Sequence, residues 1–219
     1  MKPLLLINLK TYEQGTGRNA LRLAEAARKF LNSNKYDIIL AVQPTDISTV
    51  SKIMPTYAQH IDSAEYGSHT GHILPEAVRA AGATGTLINH SERPLPMEEI
   101  EKNIQRAKQC GLVSVACAPD PKAVETIAKL GPDYVAVEPP ELIGGTVSVS
   151  TAKPEIIEES VKLVRNANPN VKVLCGAGVN KREDVSIALK LGTVGILVAS
   201  AIVKSEDPEK AIQELADGY

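Results

Sequence analysis

Short apolar runs return at nearly even spacing along the 219 residues of the chain, and that rhythm limits the folds open to it. The runs cover residues 4–9, 38–42, 57–61, 84–88, 113–117, 134–137, 171–175 and 194–199. Most are continuous rather than alternating, as expected of strands covered on both faces in a parallel sheet. The third is the least regular, because Gln59 and His60 interrupt it. Between the runs, residues 19–31 and 97–109 repeat apolar side chains at helical spacing. Pro75, Pro121, Pro154 and Pro208 stand where first helical turns begin, and Asp120 offers a cap ahead of Pro121. Gly82, Gly111, Gly131 and Gly192 stand where helices end. Eight strand–helix units in this length make about 27 residues per unit. The spacing predicts an α/β chain folded as one compact (β/α)8 barrel domain over residues 1–219. An open doubly wound sheet is the competitor. That fold usually has fewer strands and a Gly-rich first turn, whereas the first turn here reads Asn8-Leu9-Lys10-Thr11-Tyr12.

Composition excludes several function classes. The formal net charge of −2 is wrong for a general nucleic-acid binder. One Phe, six Tyr and no Trp leave few platforms for stacking bases. Cys110, Cys117 and Cys175 are odd in number and form no CxxC pair, so neither a disulfide framework nor a zinc site is expected. Each reads as a small buried apolar residue in a reducing compartment. The apolar run at residues 4–7 is too short to span a bilayer or to act as a signal segment. A soluble, cytoplasmic chain with no membrane partner is the expectation.

In a barrel, the C-terminal ends of all strands face one mouth, where catalytic groups collect. The first strand ends with Asn8 and Lys10, two apart and so on one face of an extended chain. A lysine facing inward needs an anionic partner; the bland alternative is a solvated lysine just past the strand. The fourth strand opens into His90-Ser91-Glu92-Arg93-Pro94, which could equally be a surface turn with a solvated ion pair. The sixth closes on Glu138, followed by Pro139, Pro140 and then Glu141-Leu142-Ile143-Gly144-Gly145-Thr146. Stiff prolines, an apolar tip and glycines describe a lid better than a tight connector. Beneath such a lid a carboxylate is pushed toward its neutral form and gains basicity. The seventh and eighth strands end in small residues, Gly176-Ala177-Gly178 and Ala199-Ser200-Ala201. Such turns leave backbone N–H groups open to an anion, where barrels often bind phosphate.

Taken together these residues resemble the triosephosphate isomerase family, in its short archaeal-type form. The resemblance spans nearly the whole chain. It rests on Asn8-Leu9-Lys10-Thr11-Tyr12, on His90-Ser91-Glu92-Arg93, and on Glu138-Pro139-Pro140-Glu141-Leu142-Ile143-Gly144. It implies a TIM barrel that interconverts dihydroxyacetone phosphate and D-glyceraldehyde 3-phosphate through an enediolate, in glycolysis and gluconeogenesis. By the resemblance Lys10 is the electrostatic lysine, His90 the electrophile and Glu138 the proton-abstracting base. Asn8, Leu9 and Glu92 support the substrate. Ile143, Gly144, Gly178, Ala199 and Ser200 surround its phosphate. Thr70 and Gly71 match the family's dimer-contact loop, so a homodimer or homotetramer is implied, the larger assembly through residues 97–109 and 122–129. No metal and no organic cofactor is implied. The lid reads Gly144-Gly145-Thr146 where the family usually has Gly-Thr-Gly. Ala199-Ser200 replaces the double glycine of longer members, and Ala201 stands where archaeal members often carry glycine. His90 is expected to act as a neutral donor, with the helix at 97–109 turning its positive end toward the ring. Two other functions remain open on the residues: a phosphate-gripping barrel synthase or lyase using Lys10 as a Schiff-base nucleophile, and a catalytically dead barrel serving as an interaction module.

Overall fold

The computed structural model describes residues 2–142 and 148–219. Among them, eight parallel strands close into a barrel in chain order. The strands are β1 (Leu4–Asn8), β2 (Asp37–Val42), β3 (Thr56–Ala58), β4 (Gly85–Ile88), β5 (Val113–Ala118), β6 (Tyr134–Val137), β7 (Lys172–Cys175) and β8 (Gly195–Val198). β1 closes the ring, with Leu4 opposite Asp37 of β2 on one side and Gly195 of β8 on the other. The helices are α1 (Arg18–Arg28), α2 (Ile47–Val50), α3 (Pro75–Ala80), α4 (Met97–Gln109), α5 (Pro121–Lys129), α6 (Val149–Ala152), α7 (Pro154–Ala167), α8 (Arg182–Lys190), α9 (Ser200–Val203) and α10 (Pro208–Ala216). All eight apolar runs become strands, and each of the four prolines opens a helix. Asp120 caps α5 by accepting from the Ala123 N–H at 2.8 Å.

Strand alternation sorts the side chains into two shells. Leu4, Leu6, Ala41, Tyr57, Leu87, Val115, Ala136 and Leu174 fill the barrel interior. Leu5, Ile7, Leu40, Ile88, Val135 and Val137 face outward and pack under the helices. Each fully buried leucine or isoleucine contributes about 1.5–3 kcal/mol by leaving water. With both faces dry, continuous apolar runs are what the sheet requires.

Three expectations shift. The third strand stops at Ala58 rather than residue 61, and the next residue, Gln59, donates its amide to the Lys10 and Ala41 carbonyls. The first helix ends at Arg28, before the expected residue 31. The second unit carries only one helical turn, α2. The connection from β3 to α3 is long and bears Thr70 and Gly71. Its base is anchored by Asp62, whose carboxylate accepts from the Ile73 N–H and lies 3.1 Å from His60 Nε2. Arg106 of α4 donates to the Ala64 carbonyl and pairs with Glu76. Residues 65–72 at its tip are exposed, Tyr66 to 78%.

Candidate active site

Two groups reach the barrel mouth simply by continuing a strand. Leu4 and Leu6 point inward, so Asn8 does too. Tyr134 and Ala136 lean to the same interior, and Glu138 follows in step, its N–H still bonded to the Ala118 carbonyl. Two others arrive by a break in the strand. Lys10 (φ 49°) and Asn89 (φ 57°) are the two non-glycine residues with left-handed backbone among the described residues. That conformation costs a side-chain-bearing residue about 1–2 kcal/mol, less for asparagine. Lys10 is therefore not an extended residue sharing a face with Asn8, as alternation implied. Its peptide is turned, and its N–H is held by Asn8 Oδ1 at 3.0 Å. Asn89 takes the inward step after Leu87 and spends its side chain on the turn. Its amide donates to the Cys117 carbonyl, and its oxygen accepts from the Leu95 N–H. The kink brings His90 back into the mouth, where it is 8% exposed.

Asn8, Lys10, His90, Glu138, Gly178, Ala199 and Ser200 line one cleft at the barrel mouth. The Glu92 backbone N–H points at His90 Nδ1 from 3.2 Å. A backbone N–H can only donate, so Nδ1 carries the lone pair and the ring proton sits on Nε2. The turn itself thus aims Nε2–H into the cleft. Nε2 lies 3.5 Å from Glu138 Oε1, too far for a good hydrogen bond. Burial holds the Glu138 carboxyl above the usual carboxylate range, against the opposing pull of His90, the Cys117 thiol and Lys10. Its Oε2 has no hydrogen-bond partner among the described residues. Lys10 Nζ sits 2.8 Å from Glu92 Oε1, and Glu92 also approaches His90 Nδ1 at 3.6 Å. Glu92 is therefore both a neighbour of the histidine and half of an ion pair at the mouth, its side chain 58% exposed. Ser200 opens the turn α9, whose first N–H groups have no intrahelical acceptor. No cluster of three or more metal-binding side chains occurs among the described residues.

Not every expected residue lands in the cleft. Leu9 is fully buried in the outer shell beneath the helices, because the strand's alternation sends it outward after Ile7. Glu92 lines an adjoining recess with Gln43, Gln59, His60 and Arg93. Thr70 and Gly71 lie on the exposed loop, away from the cleft lining. Ile143 and Gly144, with the rest of 143–147, lie outside the described residues. Pro140–Leu142 before them forms a 3-10 turn, and Ser148 after them caps α6.

Sequence reasoning missed several residues. Gly176 reads as part of an anion turn, yet its defining contact is with Glu138. A Cβ there would come within 2.5 Å of Glu138 Cγ, so glycine makes room for the carboxylate. Cys117 is the small buried residue the sequence implies, and in addition its thiol faces the Glu138 carboxylate, with burial keeping it protonated. Tyr12, Val179 and Asn180 also line the cleft. For Tyr12, its place two residues after Lys10 was a usable signal; for the others only the fold brings them in.

Comparison with known proteins agrees with this geometry. The family model described as triosephosphate isomerase matches residues 3–215. The chain is 50% identical over 215 residues to a triosephosphate isomerase from Methanoculleus marisnigri, covering 97% of each. It is 46% identical to one from Methanosarcina barkeri, with the same coverage. A crystal structure of triosephosphate isomerase from Bartonella henselae superposes with a TM-score of 0.74 over 99% of this chain and 100% of that one. At 20% identity that match speaks for the fold alone.

Proposed function

The chain belongs to the triosephosphate isomerase family, and from that premise we propose that Lys10, His90 and Glu138 carry the interconversion of dihydroxyacetone phosphate and D-glyceraldehyde 3-phosphate. One observation supports this most directly. The buried Glu138 carboxylate and the His90 ring face the same cleft, with Oε1 3.5 Å from Nε2.

Glu138 takes a proton from the carbon beside the substrate carbonyl. Its raised basicity suits the step, and a positioned base of this kind contributes about 10²–10⁴-fold in rate. The electron pair moves into an enediolate, whose negative oxygen develops only as the proton leaves. His90 Nε2–H donates to that oxygen and the Lys10 ammonium lies against its charge, so both act most strongly in the transition state. Glu138 then returns the proton to the neighbouring carbon while a proton passes between the two oxygens, and ketose has become aldose. Asn8 orients the substrate, with Leu9 shaping the turn from behind and Glu92 steadying Lys10. The phosphate is held by N–H groups of Gly178, Ala199, Ser200 and Gly144, with Ile143 excluding water.

The proposal extends to a single barrel domain over residues 1–219 working in the cytoplasm, as a homodimer through the Thr70–Gly71 loop or a homotetramer through α4 and α5. Among the described residues no helix is long and apolar enough to cross a membrane. Light scattering across a concentration series reads the assembly. For the chemistry, turnover in a coupled assay run in D2O is expected to place deuterium on the carbon that Glu138 serves. Product free of deuterium, or a covalent adduct at Lys10 trapped by borohydride, would overturn the assignment and favour the Schiff-base reading.

A further inference from the structure

Lys10 carries its side chain on a left-handed backbone, and nothing in a lysine favours that conformation. Such a residue persists only where its surroundings over-determine it. The surroundings are specific. On the N–H side the Lys10 peptide is held by Asn8 Oδ1. On the carbonyl side two side-chain amides converge on one oxygen. Gln59 Nε2 donates to Lys10 O at 2.9 Å and Gln43 Nε2 at 3.3 Å. Gln59 uses its second hydrogen on the Ala41 carbonyl at 3.2 Å, the same oxygen that accepts from the Leu9 N–H. Because all these acceptors are carbonyls, only the NH2 ends of the glutamines can face them. The two lone pairs of Lys10 O are thereby filled from the loops following β2 and β3, while Asn8 holds the other face of the residue from β1.

We propose that Gln43 and Gln59 are positioning residues for the isomerase reaction, a two-amide clamp that fixes the Lys10 backbone and so aims its ammonium into the cleft. The inference rests on the catalytic assignment of Lys10 made above. A lysine stem has many rotors, and its tip is only as well placed as its Cα. With the carbonyl unclamped, the peptide relaxes toward ordinary backbone angles and the stem leaves from a different direction. The ion pair with the exposed Glu92 then competes for Nζ in geometries that do not serve the substrate. The clamp touches only the backbone of Lys10 and lines the recess beside the cleft, so it acts through Lys10 and not on the substrate.

The test is a set of double-mutant cycles on the full chain. Gln59→Met and Gln43→Met keep length and lose the donor. Gln59→Met is expected to lower kcat/KM about tenfold, in line with loss of one buried hydrogen bond, and Gln43→Met about threefold. In a Lys10→Ala background the same substitutions are expected to cost less than twofold, because the group they aim is gone. The binding of glycerol 3-phosphate, measured by calorimetry, gives the same cycle should Lys10→Ala turn over too slowly to follow. Equal losses in both backgrounds would overturn the clamp and make the glutamines general scaffold; so would losses under twofold in the parent. If Lys10→Ala itself turns over like the parent, it is the catalytic assignment that fails. Should Gln59→Met fail to fold through loss of its bond to Ala41, Gln43→Met tests the same link alone, since its amide reaches only Lys10 O.

Discussion

The cleft is assembled in two ways. Asn8 and Glu138 sit on strands that simply run on, whereas Lys10 and His90 sit on or after a left-handed kink. The straight strands need no special backbone, and their cost falls on the side chain. Glu138 inherits a place inside the barrel and is stripped of water there. The kinked turns keep Lys10 beside a charged partner and His90 beside a backbone donor. Their cost falls on the backbone and is met by side-chain hydrogen bonds from Asn8, Gln43, Gln59 and Asn89. One half of the site is under-partnered, as the proposed base requires; the other is tethered on several sides.

Glu138→Gln should break the under-partnered half most severely. Turnover is expected to fall about 10³-fold, the scale of a lost general base. Stability should move the other way. Burial holds the folded-state carboxyl above its unfolded value, so ionised Glu138 opposes folding near neutral pH. That opposition is absent once pH falls below about 4, where the group is protonated in both states. Calorimetry is expected to show the variant melting above the parent at pH 7, with the difference closing toward pH 4. A variant that melts lower at pH 7 would mean that the carboxylate is well partnered after all.

Gly176→Ala comes next. The added methyl meets Glu138 Cγ and the Val137 carbonyl, so the carboxylate must move. A loss of about 10²-fold in kcat is expected from such misplacement, with the fold intact by circular dichroism. Parent-like turnover would show that Glu138 tolerates displacement, and that the rigidity of this half lies elsewhere.

How much of this was legible depended on how far each cause reached along the chain. Strands and helices are local, so the apolar rhythm, the four prolines and the 97–109 repeat gave the barrel and located α4. Glu138 was legible because it closes a straight strand. The turned peptide of Lys10 was not, since both tethers on its carbonyl come from residues 33 and 49 positions away. Alternation brought Lys10 to the correct mouth for the wrong reason. The contacts of Gly176 and Cys117 with Glu138 were not legible, because Glu138 lies on a different strand.

The pH dependence follows from the same burial. Glu138 must be ionised to accept a proton, so kcat/KM is expected to fall about tenfold per pH unit below its inflection. That inflection should lie above the ordinary carboxylate range. One inside that range would show that its neighbours in the cleft outweigh desolvation.

Asn89 gives the smallest effect and the cleanest view of the kinked half. Its left-handed backbone suits glycine best and asparagine next, and it disfavours alanine. The Asn89 amide also ties the turn to the Cys117 carbonyl and the Leu95 N–H. Asn89→Gly keeps the conformation and loses both bonds; Asn89→Ala loses both bonds and strains the backbone as well. If the kink itself delivers His90, glycine is expected to stay within about threefold of parent turnover and alanine to fall about tenfold further, the rate equivalent of roughly 1–2 kcal/mol. Equal losses in the two variants would transfer the work from the backbone angle to the two hydrogen bonds. His90 would then be held as Lys10 is, by side chains gripping a turn.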